Sequence, residues 1–115
     1  MQAVAAVTDD QLEAITKAIR CASDPVGVVL FGSQVSGRVD RDSDIDLLIV
    51  EQEPFSRHRS RRKRIADIRR RLPKIGIPYD VLLYATEEVD RWRDARNHVI
   101  ARALREGRVL YGEGA

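Results

Sequence analysis

The chain has 115 residues, of which 43% are hydrophobic and 33% charged, and its formal net charge is +2. This composition predicts a single domain spanning residues 1–115, with room for one core but not for a separate substrate-binding domain. No apolar run approaches the roughly 20 residues that span a bilayer, and no signal pattern opens the chain, so we expect a cytoplasmic protein without a membrane partner. Cys21 is the only cysteine, which excludes an internal disulfide and a thiolate metal site.

The first half of the chain predicts a helix, a strand, a short helix and a second strand. Thr8 and Gln11 have the spacing of a capping box, and an apolar stripe at helical spacing follows them until Pro25. The apolar run Val26–Phe31 predicts the first strand, and a short helix should begin after the Gly-Ser pair that follows it. The run Asp44–Val50 predicts the second strand.

The second half predicts one loop, three helices and two strands. Pro and Gly mark the breaks, and acids behind Thr86 complement a helix amino terminus. In chain order we expect the loop Glu51–Ser56, the helix Arg57–Leu72, the strand Tyr79–Tyr84, a helix from Thr86, a helix through Val99, Ile100, Ala103 and Leu104, and a short edge strand Val109–Tyr111.

A strongly basic run occupies residues 57–74, where ten of the twenty lysines and arginines lie and Asp67 is the only acid. Ile65, Ile68 and Leu72 follow helical spacing within it, which predicts one inward stripe with arginines on the rest of the helix. Such a helix suits nucleic acid, a polyphosphate or an acidic protein, and it equally suits a solvated face. Nucleic acid is not favoured, because a basic helix needs aromatic or groove-fitting features before it indicates nucleic-acid binding.

Two carboxylates, Asp44 and Asp46, stand one residue apart where the second predicted strand begins. Side chains two apart on a strand point to the same face, so both acids should project together. A buried pair of like charges is costly unless a cation neutralises it, and hard oxygen ligands favour magnesium. The pattern therefore predicts a magnesium site at this strand end.

These residues carry a resemblance to a known family. Gly32-Ser33, Gly37 and the run Ser43-Asp44-Ile45-Asp46-Leu47-Leu48-Ile49 resemble the signature of the DNA polymerase beta-like nucleotidyltransferase superfamily, and the short chain is similar to its minimal nucleotidyltransferases. The resemblance implies an α/β (α+β) fold with a small mixed sheet flanked by helices. It also implies a third metal-binding carboxylate on the strand after the basic helix, where Asp80 is the acid that fits.

The resemblance further implies magnesium-dependent transfer of a nucleoside monophosphate, AMP from ATP, to a hydroxyl. Asp44, Asp46 and Asp80 would be the catalytic residues and would hold two Mg²⁺ ions, and Asp80 is also the candidate to accept the hydroxyl proton. The nucleotide-binding residues would be Gly32, Ser33, Gly37 and Ser43, with Gly32 allowing close backbone approach and Ser33 donating to phosphate oxygens. For Gly37, a turn leaving the short helix is an equal alternative.

Two positions depart from the family pattern. Many relatives carry basic side chains near the nucleotide phosphates at the positions that Gln34 and Ser36 occupy here.

Proteins similar to this chain act as antitoxins that modify a tyrosine on a HEPN ribonuclease toxin, so the resemblance implies such a toxin as partner. Two alternatives stay open. The chain could be a binding module of the same fold that neutralises its partner by contact alone. It could also transfer the nucleotide to a small-molecule antibiotic, although relatives that do so carry an added domain for the acceptor.

Overall fold

The computed structural model of the protein describes residues 6–112, and it contains a four-stranded sheet with helices on both faces. This arrangement confirms the expected mixed sheet flanked by helices. In chain order the elements are α1 (Asp9–Ala22), β1 (Pro25–Phe31), α2 (Ser33–Ser36), β2 (Ile45–Glu51), α3 (Arg61–Arg71), β3 (Tyr79–Ala85), α4 (Thr86–Trp92), α5 (Val99–Glu106) and β4 (Arg108–Gly112).

The strands lie in the order β3-β2-β1-β4. β2 and β3 are parallel and are joined through α3, whereas β1 is antiparallel to both β2 and β4. β4 is an edge strand, as the sequence predicts. The register places Asp46 between Phe31 of β1 and Asp80 of β3, so these three residues form one row across the sheet.

Each face of the sheet has its own hydrophobic cluster. The alternate residues Ile45, Leu47 and Ile49 of β2 pack with residues of α1 and α3 on one face. Leu48 and Val50 pack on the other face with residues of α4 and α5. Because side chains alternate along a strand, Asp46 lies on the second face, in the same row of β2 as Leu48 and Val50.

The first helix begins as its sequence predicts. The Thr8 hydroxyl accepts from the Gln11 amide at 3.1 Å, and the Gln11 side chain accepts from the Thr8 amide at 2.9 Å, which completes the capping box. Leu12, Ile15 and Ile19 are buried along one stripe. Among residues 6–112, no helix is long and apolar enough to cross a membrane.

The basic helix is shorter than its charge pattern predicts. It begins at Arg61 rather than Arg57, with the Ser60 hydroxyl accepting from the Lys63 amide at 3.3 Å as its amino-terminal cap. The residues before it form a tight turn, closed by two backbone hydrogen bonds of 3.1 Å between Ser56 and Arg59. The prediction of a helix from Arg57 is therefore wrong, because local capping and this turn set the start of the helix.

Glu51 is the second correction. It is the last residue of β2 rather than the first residue of a loop, and only 1% of it is exposed. Arg64 donates to both carboxylate oxygens, at 3.2 and 3.0 Å, and Arg59 and Ser23 donate as well. Burial alone would raise the pKa of Glu51, but these hydrogen bonds outweigh it and hold the pKa below its usual value.

Candidate active site

The turn after β1 requires glycine at its first position. Gly32 has φ +78° and ψ −151°, a backbone conformation that L side chains rarely adopt, and it caps the short helix α2. A methyl group placed on Gly32 would overlap the Asp46 Oδ2 atom. The Asp46 carboxylate therefore rests directly against the backbone of the Gly32-Ser33 turn.

Asp46 and Asp80 are direct neighbours across the parallel strand pair. Residues paired in register project to the same face, so the two carboxylates share the α4–α5 side of the sheet. Asp46 is half-buried, whereas Asp80 is exposed on β3, which has no strand on its other side within the described residues. Asp44 is half-buried as well and lies just before β2 begins.

The electrostatics of Asp46 reflect this crowding. Burial, then the charge of Asp80 and then that of Asp44, raise the pKa of Asp46 from 3.8 to about 6. Across residues 6–112 no arginine, lysine or histidine forms an ion pair with any of the three carboxylates. The site thus concentrates negative charge that the described part of the chain leaves uncompensated.

This donor set fits a divalent cation in its chemistry. Carboxylate oxygens are the ligands that Mg²⁺ prefers, and mutual repulsion between acids is relieved by a bound cation. In the arrangement described for residues 6–112, no three acidic, histidine or cysteine side chains converge closely enough to form a metal site. The structure thus brings Asp46 beside Asp80 and Asp44 within electrostatic range, and metal binding by the three remains a prediction.

Gly37 and Ser43 have local structural roles around the same turn. Gly37 ends α2 with φ +83°, and its amide donates to the Ser33 carbonyl at 3.1 Å. The Ser43 hydroxyl accepts from the Asp40 amide at 2.8 Å, and the Ser43 amide donates back to the Asp40 carbonyl at 3.1 Å. Ser43 therefore closes the turn that delivers the chain to Asp44, and nucleotide contacts by Gly37 and Ser43 stay predictions.

An open cleft of about 730 Å³ lies beside the Gly32-Ser33 turn. Its charged lining residues are Arg38, Arg102 and Glu106, and the last two belong to α5. Sequence reasoning missed both arginines, because they are far apart in the chain and belong to no motif. The only signal was the spacing of α5, which places Arg102 opposite the buried residues Ile100 and Ala103.

Comparison with known proteins identifies the class. Residues 12–109 match the family described as nucleotidyltransferase domain. This match covers most of the chain, so the protein belongs to the nucleotidyltransferase domain family. Among curated proteins, none matches the sequence.

Two solved structures share the fold. One is a toxin-antitoxin crystallised with AMP-PNP, which matches with a TM-score of 0.60 and 20% identity over 89% of this chain and 73% of that chain. The other is a candidate nucleotidyltransferase from Sulfolobus solfataricus, with a TM-score of 0.53 and 22% identity over 71% of this chain and 70% of that chain. At these identities the two likenesses concern the fold.

Proposed function

We propose that the protein is a magnesium-dependent nucleotidyltransferase that transfers AMP from ATP to a hydroxyl group of a partner protein. One observation carries the proposal. The half-buried Asp46 carboxylate rests on a glycine that tolerates no side chain and faces Asp80 in the neighbouring strand. A structural role alone gives no reason to place two acids side by side on a sheet without a compensating cation.

Asp44, Asp46 and Asp80 would hold Mg²⁺ in this site. When bound, the metal would supply neutralisation of the charge that builds on phosphate oxygens during transfer. The backbone of Gly32 admits close approach of a phosphate, and Ser33 at the start of α2 offers a hydroxyl and an amide as donors. These residues would bind and orient the triphosphate.

The reaction itself is a displacement at the α-phosphorus. The acceptor oxygen forms a bond to this atom while the bond to the bridging oxygen breaks, and pyrophosphate leaves with the bonding electrons. The hydroxyl proton would pass to Asp80, which is exposed and accessible from the edge of the sheet. An acceptor supplied by a separate molecule fits this position.

A HEPN-type toxin is the acceptor that we propose, with the protein acting as its antitoxin. The resemblance of the Gly32 to Ile49 motif to minimal nucleotidyltransferases supports this assignment. The fold is also shared with a toxin-antitoxin structure that was solved with AMP-PNP. A tyrosine hydroxyl on the toxin would be the attacking group.

Intact-mass spectrometry tests this proposal. The protein, ATP and Mg²⁺ are incubated with a HEPN toxin, and the toxin is then digested and its peptides sequenced. We expect a mass gain of one or more AMP groups on a tyrosine, and no gain with the Asp46→Asn variant. An unmodified toxin that is nevertheless neutralised would instead support a contact-only binding module.

The contact-only function has one observation in its favour. Gln34 and Ser36 are neutral at positions where many relatives carry basic side chains near the nucleotide phosphates. Nucleotidyl transfer requires ATP, whereas a contact-only binding module neutralises the toxin without it. Neutralisation in nucleotide-free buffer would therefore favour the contact-only function.

A further inference from the structure

We propose that Arg38 and Arg102 bind the β- and γ-phosphates of the nucleoside triphosphate, supplying the positive charge that positions 34 and 36 lack. This inference rests on the proposed nucleotidyl transfer. It assigns the open cleft beside the Gly32-Ser33 turn as the triphosphate subsite.

The position of the cleft is the first support. Gly32 and Ser33 line it, and Gly32 is also the residue against which the Asp46 carboxylate rests. Gly32 is therefore the residue that separates the cleft from the carboxylates of Asp46 and Asp80. A triphosphate with its α-phosphorus near Asp46 and Asp80 could extend its remaining phosphates along the turn into this space.

Arg102 is held over the turn by the packing of α5. Ile100 and Ala103 are buried against the sheet, which directs the guanidinium of Arg102 outward. At the end of the helix, Gly107 touches the Val29 side chain and the Leu30 carbonyl so closely that a methyl group would overlap both. This contact fixes the carboxyl end of α5 to β1, immediately before the Gly32-Ser33 turn.

The guanidinium of Arg102 is only weakly engaged within the protein. Its one ion pair in the described range is with Glu106, one helical turn away, at 3.8 Å between Arg102 Nε and Glu106 Oε2. The two side chains are 66% and 62% exposed, and an ion pair this exposed contributes little to stability. A phosphate would displace Glu106 readily.

Arg38 lines the same cleft. It follows Gly37, which ends α2, and its amide lies 3.4 Å from the Ser36 hydroxyl. Its side chain is exposed and forms no ion pair with any residue between 6 and 112. The planar guanidinium presents paired donors that match phosphate oxygens.

Gln34 and Ser36 do not supply positive charge for phosphate binding. The Gln34 side-chain carbonyl accepts from the Val7 amide at 3.0 Å, and Gln34 does not line the cleft. Ser36 lines the cleft but is neutral. The positive charge in the cleft comes from Arg38 and Arg102, and Glu106 is the acid that opposes it.

Calorimetric titration of the full chain with α,β-methylene-ATP and Mg²⁺ tests the inference, since nucleotidyl transfer cannot cleave this analogue. Arg38→Ala and Arg102→Ala should each weaken its binding about tenfold, as expected for loss of a charge-assisted hydrogen bond. Arg105→Ala is the matched control, because Arg105 is exposed on α5 and does not line the cleft. Arg105→Ala should bind the analogue as tightly as the unmodified protein does. Glu106→Gln should bind the analogue more tightly, because it removes the negative charge that opposes the two arginines in the cleft.

The same titrations with AMP separate a phosphate role from a general loss of structure. Because AMP lacks the β- and γ-phosphates, its affinity should not change in either arginine variant. If both variants bind the analogue as well as Arg105→Ala does, the inference is wrong while the proposed function stands. If the unmodified protein binds no triphosphate, the inference and the proposed function both fail.

Discussion

Gly32 and Gly37 both have a φ near +80°, so a side chain strains the backbone at either position. Gly37, with ψ 4°, lies in the left-handed region, where an L side chain costs about 1–2 kcal/mol, whereas Gly32, with ψ −151°, lies in a region that only glycine adopts readily. Only at Gly32 would the added methyl group collide with Asp46, whereas the space around Gly37 is open.

We therefore expect Gly32→Ala to abolish nucleotidyl transfer, because the Asp46 carboxylate must move, and Gly37→Ala to retain most of it. Both variants should lose free energy of unfolding, and Gly32→Ala should lose more, because it adds the collision with Asp46 to a backbone conformation that side chains adopt less readily. Transfer rates and denaturant unfolding curves measure the two effects. An equal loss of transfer in the two variants would contradict the close contact between Gly32 and Asp46.

Asp46 itself predicts a stability that depends on pH in metal-free buffer. Its folded pKa is raised to about 6, so ionisation of Asp46 costs folding free energy as pH rises from about 4 to above 6. The Asp46→Asn variant avoids this cost. Its melting temperature in a chelator should therefore equal or exceed that of the unmodified protein, with a gap that widens towards neutral pH, while transfer is lost.

The measurement is a pair of thermal melts at about pH 4 and about pH 7.5, since the two proteins share every other titrating group. A gap that stays constant with pH would show that burial and the neighbouring charges do not raise the folded pKa of Asp46.

At the scale of elements, α3 has two classes of basic residue that its sequence does not distinguish. Arg64 and the neighbouring Arg59 bind Glu51, and Arg61 binds Glu88 at 2.6 Å. The charge pattern predicts arginines outside the apolar stripe, and it does not show that these three form ion pairs within the protein. The exposed ones are Arg57, Arg62, Lys63, Arg69, Arg70, Arg71 and Lys74.

The Glu51 cluster should stabilise the junction between β2 and α3. Glu51→Gln leaves Arg59 and Arg64 with a neutral partner, and we expect it to cost about 3 kcal/mol of unfolding free energy, the low end for a broken buried pair. The folded pKa of Glu51 lies below its usual value of 4.5, so this contribution is present above that pH and is lost as pH falls through the folded pKa.

Melting temperatures of the unmodified protein and Glu51→Gln should consequently converge at acidic pH. If the difference between the two melting temperatures stays constant as pH falls, the stabilisation comes from packing rather than from the charge of Glu51.

The exposed cations offer a separate test of partner binding. Arg62 and Lys63 form no ion pair within residues 6–112, so replacing both with Gln should leave the fold unchanged. If this face contacts an acidic toxin surface, the double variant should bind the toxin more weakly and with a flatter salt dependence, since exposed charges are screened over about 8 Å. Affinity measured across a salt series decides this.

Arg61→Gln with Arg64→Gln is the matched comparison, because it removes the same charge but breaks contacts inside the protein. It should lower the melting temperature. If the Arg62→Gln, Lys63→Gln double variant leaves the salt dependence of toxin affinity unchanged, this face of α3 is an ordinary solvated surface.

For the whole molecule, local sequence signals are enough to predict the kind and order of the elements but not all of their bounds. The Thr8–Gln11 capping box, the apolar run before the Gly32 turn and the run after Asp44 each depend on neighbours in the chain. The signals also pointed to Asp44 and Asp46 as a pair, and the family resemblance added Asp80.

Features that depend on distant contacts could not be predicted in this way. Glu51 ends β2 by pairing with Pro25 and Ala85, and its side chain is bound by arginines that follow it in the chain. Arg102 reaches the cleft because Gly107 fixes α5 to β1. The Glu51 contacts leave no periodic or spacing signal, and the spacing of α5 indicates only that Arg102 faces away from the core. The same limit explains why Gln34 could be seen as a missing charge but not as a side chain bound to Val7.

The proposed activity moves the α-phosphate of ATP with its nucleoside to a hydroxyl of a partner protein. The most direct test incubates the protein, Mg²⁺ and a HEPN toxin with ATP labelled on the α-phosphate or, in parallel, on the γ-phosphate. We predict that the toxin acquires the α-label and not the γ-label, and that Asp46→Asn abolishes the transfer. Transfer of the γ-label, or α-labelling that persists in Asp46→Asn, would contradict nucleotidyl transfer at the Asp46 site.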